Sequence, residues 1–237
     1  GGMGPAATAD FYQKLIQATP AKADQDHFKV LIFSNPHIPD RTAAIRGEGP
    51  SPLPALIESA ELLVRGGAAF IAIPCVTVHF FHAELQAALP IPVLHIVGET
   101  AAAVRRDRSD LRRLGLLATT GTVQSRLFEK QFEPHGLSIL SPEPSLQEGA
   151  VMPAIYGVKH GEGLDEPRRL IREAAAHLVA QGAEAVIAGC TEVPLILQDG
   201  DLPAPVIDPT LLLAQASVQR ALRGCSMASQ RCYKDRG

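Results

Sequence analysis

A short signature occurs twice in this chain, 115 residues apart. The first copy is IPCVTVH at residues 73–79 and the second is AGCTEVP at residues 188–194. Each copy places a cysteine, Cys75 or Cys190, behind a short apolar run of the kind that forms a buried strand. Because open α/β sheets bind ligands at the carboxyl ends of their strands, the two copies predict one site with a sulfur on each side of the ligand.

The similarity extends beyond the cysteines. A shift of 115 residues lays residues 55–75 over 170–190, and both segments then show a helix-like stretch, a Gly-Ala pair, a strand-like run and a cysteine. Small apolar residues also match by chance, but the shared order makes chance a weaker explanation. Internal repeats constrain architecture more strongly than local propensity does. The chain is therefore predicted to form two related α/β halves that face each other across a cleft.

Strand-like and helix-like segments alternate along both halves, which is typical of a mostly parallel sheet. Strands are predicted at residues 29–33, 70–74, 93–96, 114–118, 137–140, 185–188 and 206–207. Helices are predicted at residues 8–18, 54–65, 79–89, 98–106, 123–132, 148–158, 167–181 and 210–222, with a further helix start at 191–197. The chain opens on a glycine-rich turn at residues 1–4, and because such a turn normally follows a strand, we expect a strand to precede it.

The closing helix is predicted to cross back to the first half of the chain. Residues 1–103 plus 208–237 would then form an N-terminal lobe that carries Cys75. Residues 104–207 would form a C-terminal lobe that carries Cys190. No low-complexity linker separates these segments, so the two lobes should pack closely.

Composition narrows the classes of function. Of the 237 residues, 46% are hydrophobic and 20% charged, as in an ordinary soluble enzyme. A net charge of −3 gives no basic footprint for nucleic acid, and no apolar run approaches the roughly 20 residues of a membrane helix. Four cysteines are too few for a disulfide framework: Cys75 and Cys190 resemble free thiols, while Cys225 and Cys232 could be incidental or paired. Reduced thiols and the lack of a recognisable signal peptide favour the cytoplasm.

Several motifs together resemble the aspartate/glutamate racemase superfamily, and its aspartate racemase branch in particular. Besides the two cysteine motifs, they are GGM at residues 1–3 with Ala7 and Thr8, SNPHIPDRT at 34–42 and YGVK at 156–159. The resemblance implies two pseudo-symmetric lobes of open parallel sheet, with the active site in the cleft between them and one thiol from each. It also implies a homodimeric racemase of acidic amino acids that needs no cofactor and acts on a small-molecule substrate.

Racemisation removes the Cα proton from one face of an amino acid and returns a proton to the other face. A single group cannot easily serve both faces, but a thiolate and a thiol on opposite sides can. The repeat offers Cys75 and Cys190 as these two catalytic groups, and a helix beginning after each cysteine would favour its thiolate. The competing interpretation of each cysteine is a buried, inert thiol.

The resemblance carries substrate binding onto three residues, Met3, Arg41 and Lys159. A guanidinium suits bidentate binding of a substrate carboxylate, and Lys159 falls near the position that corresponds to Arg41 in the repeat. Both cations could instead be solvated surface charges.

The carbanion formed at Cα also needs hydrogen-bond donors at the α-carboxylate. Candidate donors are backbone N–H groups at helix starts together with Thr77, Thr119, Thr122 and Thr191. These threonines could equally be helix caps.

Two further polar residues follow the cysteines closely. Glu192 and His79 could each tune a thiol or orient the substrate amine, but Glu192 could also be a first-turn helix acid and His79 a satisfied helix histidine. Cys75, His79 and His82 offer only a weak metal trio, since Cys75 sits at a junction and no second cluster appears. We expect no metal.

One position departs from the family pattern. The resembling motif has Asn directly after the first cysteine and Ala before the histidine, where this chain has Val76 and Val78. In the family that Asn helps to bind the substrate, whereas Val76 offers only its backbone. The loss of a buried donor costs about 1–3 kcal/mol. Weaker aspartate binding or a different substrate is therefore expected, and Val76→Asn should improve aspartate turnover.

The sequence favours a racemase that interconverts L- and D-aspartate or glutamate. One alternative is another member of the superfamily, acting as an isomerase, a decarboxylase or a hydantoin racemase. Arg41 and Lys159 favour a dicarboxylate over a hydantoin, and the retained thiol pair favours proton transfer over decarboxylation. The other alternative is a catalytically silent amino-acid-binding protein, which Val76 supports and the thiol pair opposes.

Overall fold

A parallel sheet organises the C-terminal half of the chain. In the computed structural model its strands are β1 (Arg113–Leu117), β2 (Ser138–Leu140), β3 (Ala185–Ala188) and β4 (Val206–Ile207), in the order β2-β1-β3-β4. All neighbouring strands run parallel. The two central strands are buried, which is why their sequences are continuous apolar runs rather than alternating ones. The predicted α/β class with a parallel sheet is confirmed.

The structure describes residues 1–161 and 163–234, and no side chain beyond residue 224. Residues 235–237 at the end of the predicted N-terminal lobe, and the side chains of Cys225 and Cys232, therefore lie outside the described residues. Among the described helices, none is long and apolar enough to cross a membrane. The α-helices are α1 (Pro5–Ala18), α2 (Arg41–Ile45), α3 (Leu53–Arg65), α4 (His82–Ala87), α5 (Ile96–Asp107), α6 (Thr120–Gln124), α7 (Leu127–Phe132), α8 (Pro144–Leu146), α9 (Met152–His160), α10 (Asp165–Ala180) and α11 (Pro209–Lys234).

The described extended segments of the N-terminal half do not form a ladder like that of the C-terminal sheet. Isolated parallel bridges join Gly2 to Ser34 and Ile71 to Val93, without a continuous ladder among the described residues. A strand needs a hydrogen-bonded neighbour along its length, and an apolar run does not reveal whether that neighbour is present. The predictions that are wrong in extent for this reason are the strands at residues 29–33, 70–74 and 93–96.

The segments that follow the two cysteines also differ from the prediction. Cys75 is followed by a 3₁₀ turn, Thr77–Phe81, before α4 begins. The helix predicted at residues 191–197 is only a 3₁₀ turn, Val193–Leu195. After Cys75 the 3₁₀ turn runs directly into α4, so a helix follows that cysteine as predicted. The three-residue 3₁₀ turn after Cys190 aligns few peptide dipoles. Support of either thiolate by a helix stays a prediction.

The two halves share one apolar core. Val76 and Leu94 from the N-terminal half pack in the same cluster as Leu116, Ala118 and Ile187 from β1 and β3. The closing helix α11 packs on α1 and α5. The predicted lobe boundaries stay a prediction.

Candidate active site

Cys190 lies at the end of β3 in a buried and acidic setting. Its side chain is 5% exposed, and its thiol donates a hydrogen bond of 2.9 Å to Oε2 of Glu192. Burial raises the pKa of the thiol well above its usual value, and the charge of Glu192 raises it further while Lys159 opposes this. Cys190 is therefore protonated at neutral pH.

Gly189 allows the strand end that carries Cys190 to pack this closely. A Cβ at Gly189 would lie 2.5 Å from Cδ1 of Leu116 and 3.1 Å from Cβ of Ala118. Glycine is the residue that permits this approach of β3 to β1.

Cys75 lies in a more open and more basic setting. It is a free, partly exposed cysteine whose backbone N–H donates to Ile73 at 2.8 Å. Its carbonyl oxygen lies 2.8 Å from Nδ1 of His79. The side chain that reaches Cys75 from another element is Arg41, the first residue of α2.

Arg41 is held by its own loop, within electrostatic reach of Cys75. Its Nη1 donates to the carbonyl oxygens of Ile38 and Pro39, both at 3.1 Å. Burial lowers the pKa of the guanidinium, but the charges of Cys75 and Asp40 and a hydrogen bond to Cys75 outweigh this and raise the pKa above its usual value. The predicted substrate-binding arginine is thus beside a predicted catalytic thiol.

Lys159, on α9, is electrostatically coupled to both thiols. Lys159 is an exposed residue, yet enough protein lies near its ammonium to desolvate it. Desolvation lowers the pKa of Lys159, whereas the charges of Cys190, Glu192 and Cys75 raise it, with a net increase. Both sulfurs are therefore close enough to the Lys159 ammonium to influence its pKa.

Tyr156, one turn before Lys159, was not assigned a role from the sequence although it belongs to the YGVK motif. The Lys159 ammonium lies 5.3 Å from the centroid of the Tyr156 ring, a cation–π distance. Desolvation and the charge of Asp40 raise the pKa of Tyr156 against the opposing charges of Lys159 and Arg41. Tyr156 therefore lines the cleft between the two cations. Its place opposite residue 41 in the 115-residue repeat is the sequence signal that could have found it.

The predicted threonines form a buried hydroxyl triangle between the halves. Thr77, Thr119 and Thr122 join their Oγ1 atoms pairwise at 3.0 Å, 3.1 Å and 3.0 Å. Thr119 also caps α6, since its side chain accepts a hydrogen bond from the backbone N–H of Thr122. The capping interpretation is thus correct for Thr119. Thr191 instead turns its hydroxyl toward Oε2 of Glu192 at 3.4 Å.

Gly121 brings α2 and α6 together beside this triangle. A Cβ at Gly121 would lie 2.9 Å from Cα of Thr42, which is closer than real Cβ atoms approach. The contact places the loop that ends at Arg41 directly against the start of the C-terminal half.

Two predicted substrate-binding residues have apolar side-chain surroundings. Met3 is 3% exposed and packs with Ile38 and Leu56 in the core of the N-terminal half. Val76 is 2% exposed in the shared core. Their substrate contacts stay a prediction, and any direct contact would use the backbone or the edge of these side chains.

A histidine cluster lies behind Cys75. The rings of His79, His82 and His95 have centroids 4.6 Å to 5.9 Å apart. Burial and the neighbouring His95 lower the pKa of His79 to about 3, and burial and His82 lower that of His95 to about 4. His79 is therefore neutral, and we assign its single N–H to Nδ1, which makes the shorter contact, to the carbonyl of Cys75.

The cluster is not arranged as a metal site. Both ring nitrogens of His79 face carbonyl oxygens, those of Cys75 and Leu94. Across residues 1–161 and 163–224, no three His, Cys, Asp or Glu side chains are placed to hold a metal ion. The weak trio of Cys75, His79 and His82 is therefore not assembled.

Comparison with known proteins places the chain in a family. The family model described as Asp/Glu/Hydantoin racemase matches residues 1–217. The broad specificity amino-acid racemase RacX of Bacillus subtilis (strain 168) is 29% identical over 227 residues, which cover 93% of this chain and 96% of RacX.

Solved structures give the same result. The aspartate racemase of Picrophilus torridus has a TM-score of 0.83 and 28% sequence identity, over 93% of this chain and 91% of its own. A putative Asp/Glu racemase from Yersinia pestis has a TM-score of 0.73 and 26% identity, over 94% of this chain and 98% of its own. The similarity thus extends over nearly the full length of these relatives.

Proposed function

Because this chain belongs to the Asp/Glu/hydantoin racemase family and is an amino-acid racemase, we propose that it interconverts the enantiomers of an acidic amino acid on two thiols, without a cofactor. The single observation that carries the proposal is the coupling of Lys159 to both Cys75 and Cys190. A substrate that lies between two bases needs both sulfurs near one binding group. Lys159 is such a group, because its pKa responds to both sulfurs.

In one direction Cys75 acts as the base and Cys190 as the acid. The Cys75 thiolate takes the Cα proton, and the electron pair of the broken C–H bond moves toward the substrate α-carboxylate. The Cys190 thiol then gives its proton to the opposite face of Cα, which leaves Cys75 as thiol and Cys190 as thiolate. Positioned acid–base groups of this kind contribute about 10²–10⁴-fold to a rate.

The two cations define the substrate side chain. Arg41 and Lys159 lie beside the thiols, and together they would neutralise a second carboxylate on the substrate. Aspartate and glutamate are the amino acids that carry one. Backbone N–H groups near Thr77 and Thr191, with their hydroxyls, are proposed to bind the α-carboxylate.

A broader substrate range is the second candidate. Val76 replaces the Asn of the resembling motif and is buried in apolar surroundings, and the relative RacX is described as a broad specificity amino-acid racemase. A site with one polar contact fewer discriminates less strongly among side chains. Neutral amino acids therefore belong in the first substrate panel.

We propose the assembly from resemblance alone. The lobes are proposed as residues 1–103 plus 208–237 and residues 104–207, in a cytoplasmic homodimer. Light scattering coupled to size-exclusion chromatography measures the mass directly, and a mass near 25.2 kDa would contradict the dimer.

The test of the function is solvent-deuterium incorporation at Cα, followed by NMR. The purified protein receives L- and D-aspartate, L- and D-glutamate and several neutral amino acids, without pyridoxal phosphate. Exchange of any amino acid names the substrate. Loss of that exchange, or its restriction to one enantiomer, in Cys75→Ala and Cys190→Ala supports the two-thiol mechanism. Absence of exchange with all of them would overturn the amino-acid proposal and point to another substrate of the superfamily or to a binding role.

A further inference from the structure

The carboxylate of Glu192 has an unusual set of partners for a buried acid. Glu192 is 5% exposed, and its Oε2 accepts from the thiol of Cys190 and, at 3.4 Å, from the hydroxyl of Thr191. Its Oε1 lies against the N-terminal loop, where a side chain at Gly4 would approach it to 3.2 Å. Within the described part of the chain, neither Arg nor Lys forms an ion pair with it. The hydrogen bond to the thiol is therefore its shortest side-chain contact.

We propose that Glu192 is a positioning residue that keeps the proton on Cys190 in the free enzyme, so that Cys190 enters the reaction as the acid. This inference rests on the proposed racemase function. It assigns to Glu192 a role toward the enzyme's own thiol rather than toward the substrate. A buried carboxylate next to a thiol disfavours the thiolate through like-charge repulsion, and it accepts a hydrogen bond only from the protonated form.

The consequence is a preferred resting form. While the proton is held on Cys190, the enzyme accepts the enantiomer whose Cα–H faces Cys75, because the other sulfur is then the acid. After that turnover the proton has moved from Cys190 to Cα and from Cα to Cys75. The enzyme regains its resting form when Cys75 releases a proton to solvent and Cys190 takes one up, and Glu192 favours this return.

Other charges face the same pair and must be included. Lys159 and Tyr156 approach from α9, and Arg41 approaches from α2. Cys75 faces them from the opposite half. Lys159 lowers the pKa of Cys190 and so opposes Glu192, which raises it. When the charge of Glu192 is removed, the effect of Lys159 on this pKa is no longer opposed by it.

The first experiment is the pH dependence of kcat/KM. In a two-base racemase the basic limb reports the loss of the proton from the essential acid, which is here Cys190. Glu192→Gln keeps the shape of the side chain and removes its charge. We expect the basic limb to move to lower pH by about one unit or more, and Glu192→Asp to restore it.

Glu173→Gln is the matched control, because it removes the same charge from an exposed position on α10. It should leave both limbs unchanged. A merely structural role of Glu192 would lower kcat/KM at every pH without moving the basic limb, and that outcome would overturn the inference.

The second experiment needs no turnover. Thiolate absorbance in the ultraviolet is followed against pH in a background with Cys75→Ala, Cys225→Ser and Cys232→Ser, where Cys190 is the remaining cysteine. The signal then reports the ionisation of Cys190 with and without Glu192→Gln. Earlier ionisation in the variant with Glu192→Gln supports the inference, and coincident titrations overturn it. Because this readout does not depend on a substrate, the inference can fail while the racemase function stands, and it can hold if no amino acid is turned over.

Discussion

The two cysteine segments occupy equivalent positions in the sequence repeat, yet their surroundings in the structure are opposite. Cys190 is buried and donates to a carboxylate, whereas Cys75 is partly exposed and lies within electrostatic reach of the Arg41 guanidinium. Behind Cys75 lies a neutral histidine, and behind Cys190 lies an acid. The repeat thus supplies two thiols at equivalent positions, while the residues around them give each thiol a different electrostatic setting.

Removal of either thiol tests this comparison most severely. Cys75→Ala and Cys190→Ala should each lower racemisation by about 10³-fold or more, because each removes an acid–base group. Each variant should still exchange deuterium into one enantiomer only, and the enantiomer should differ between the two variants. The measurement is Cα exchange by NMR on separate L and D samples. Exchange into the same enantiomer in both variants would mean that the thiols do not face opposite sides of the substrate.

Lys159 is the group that both thiols share, so its replacement should affect acidic substrates selectively. Lys159→Met keeps the length of the side chain and removes the charge. We expect kcat/KM for the acidic substrate to fall by about 10- to 100-fold, since a hydrogen bond to a charged group contributes about 1.5–3 kcal/mol. Steady-state kinetics on acidic and neutral amino acids measure the difference.

Lys130→Met, an exposed lysine on α7, is the control and should leave both substrate classes unaffected. If Lys159→Met lowers acidic and neutral substrates by the same factor, the lysine does not recognise a side-chain carboxylate.

The histidine behind Cys75 should make stability depend on pH. The folded protein holds the pKa of His79 at about 3, well below the value near 6.5 of an unfolded chain. Above pH 6.5 both states are neutral and the full stability is present. As the pH falls below 6.5, the unfolded state takes up a proton that the native state cannot bind, and stability is lost progressively toward pH 3. From pH 7 to pH 5 the loss from His79 should be about 2 kcal/mol.

Urea unfolding at pH 7 and pH 5, in the wild type and in His79→Gln, isolates this contribution. The difference between the two pH values should be smaller in the variant. Equal differences would show that His79 is not held neutral.

Val76→Asn places a polar side chain next to Cys75, whereas Cys190 already has polar neighbours in the sequence. Restoring the amide should raise kcat/KM for aspartate by about tenfold relative to neutral amino acids, the gain expected from one buried hydrogen bond. Val78→Asn introduces the same amide into the neighbouring core and controls for the effect of burying a polar group. A loss of stability without a gain for aspartate in both variants would show that position 76 does not reach the substrate.

The sequence by itself determined the class of the fold and the places of the two thiols. β3 and β4 were predicted with their observed bounds, because short apolar runs between helices carry a local signal. The repeat marked Cys75 and Cys190 for the same reason. Local patterns did not reveal that the N-terminal half pairs through isolated bridges, or that only a short 3₁₀ turn follows Cys190.

Tertiary structure alone decided the electrostatics of the site. Segments far apart in the chain bring four groups together. They are the carboxylate that accepts from Cys190, the guanidinium near Cys75, the ammonium influenced by both sulfurs, and the ring of Tyr156. Residue type and spacing record which groups are available, but burial and the distance between charges set their protonation. Those two quantities exist only once the chain has folded.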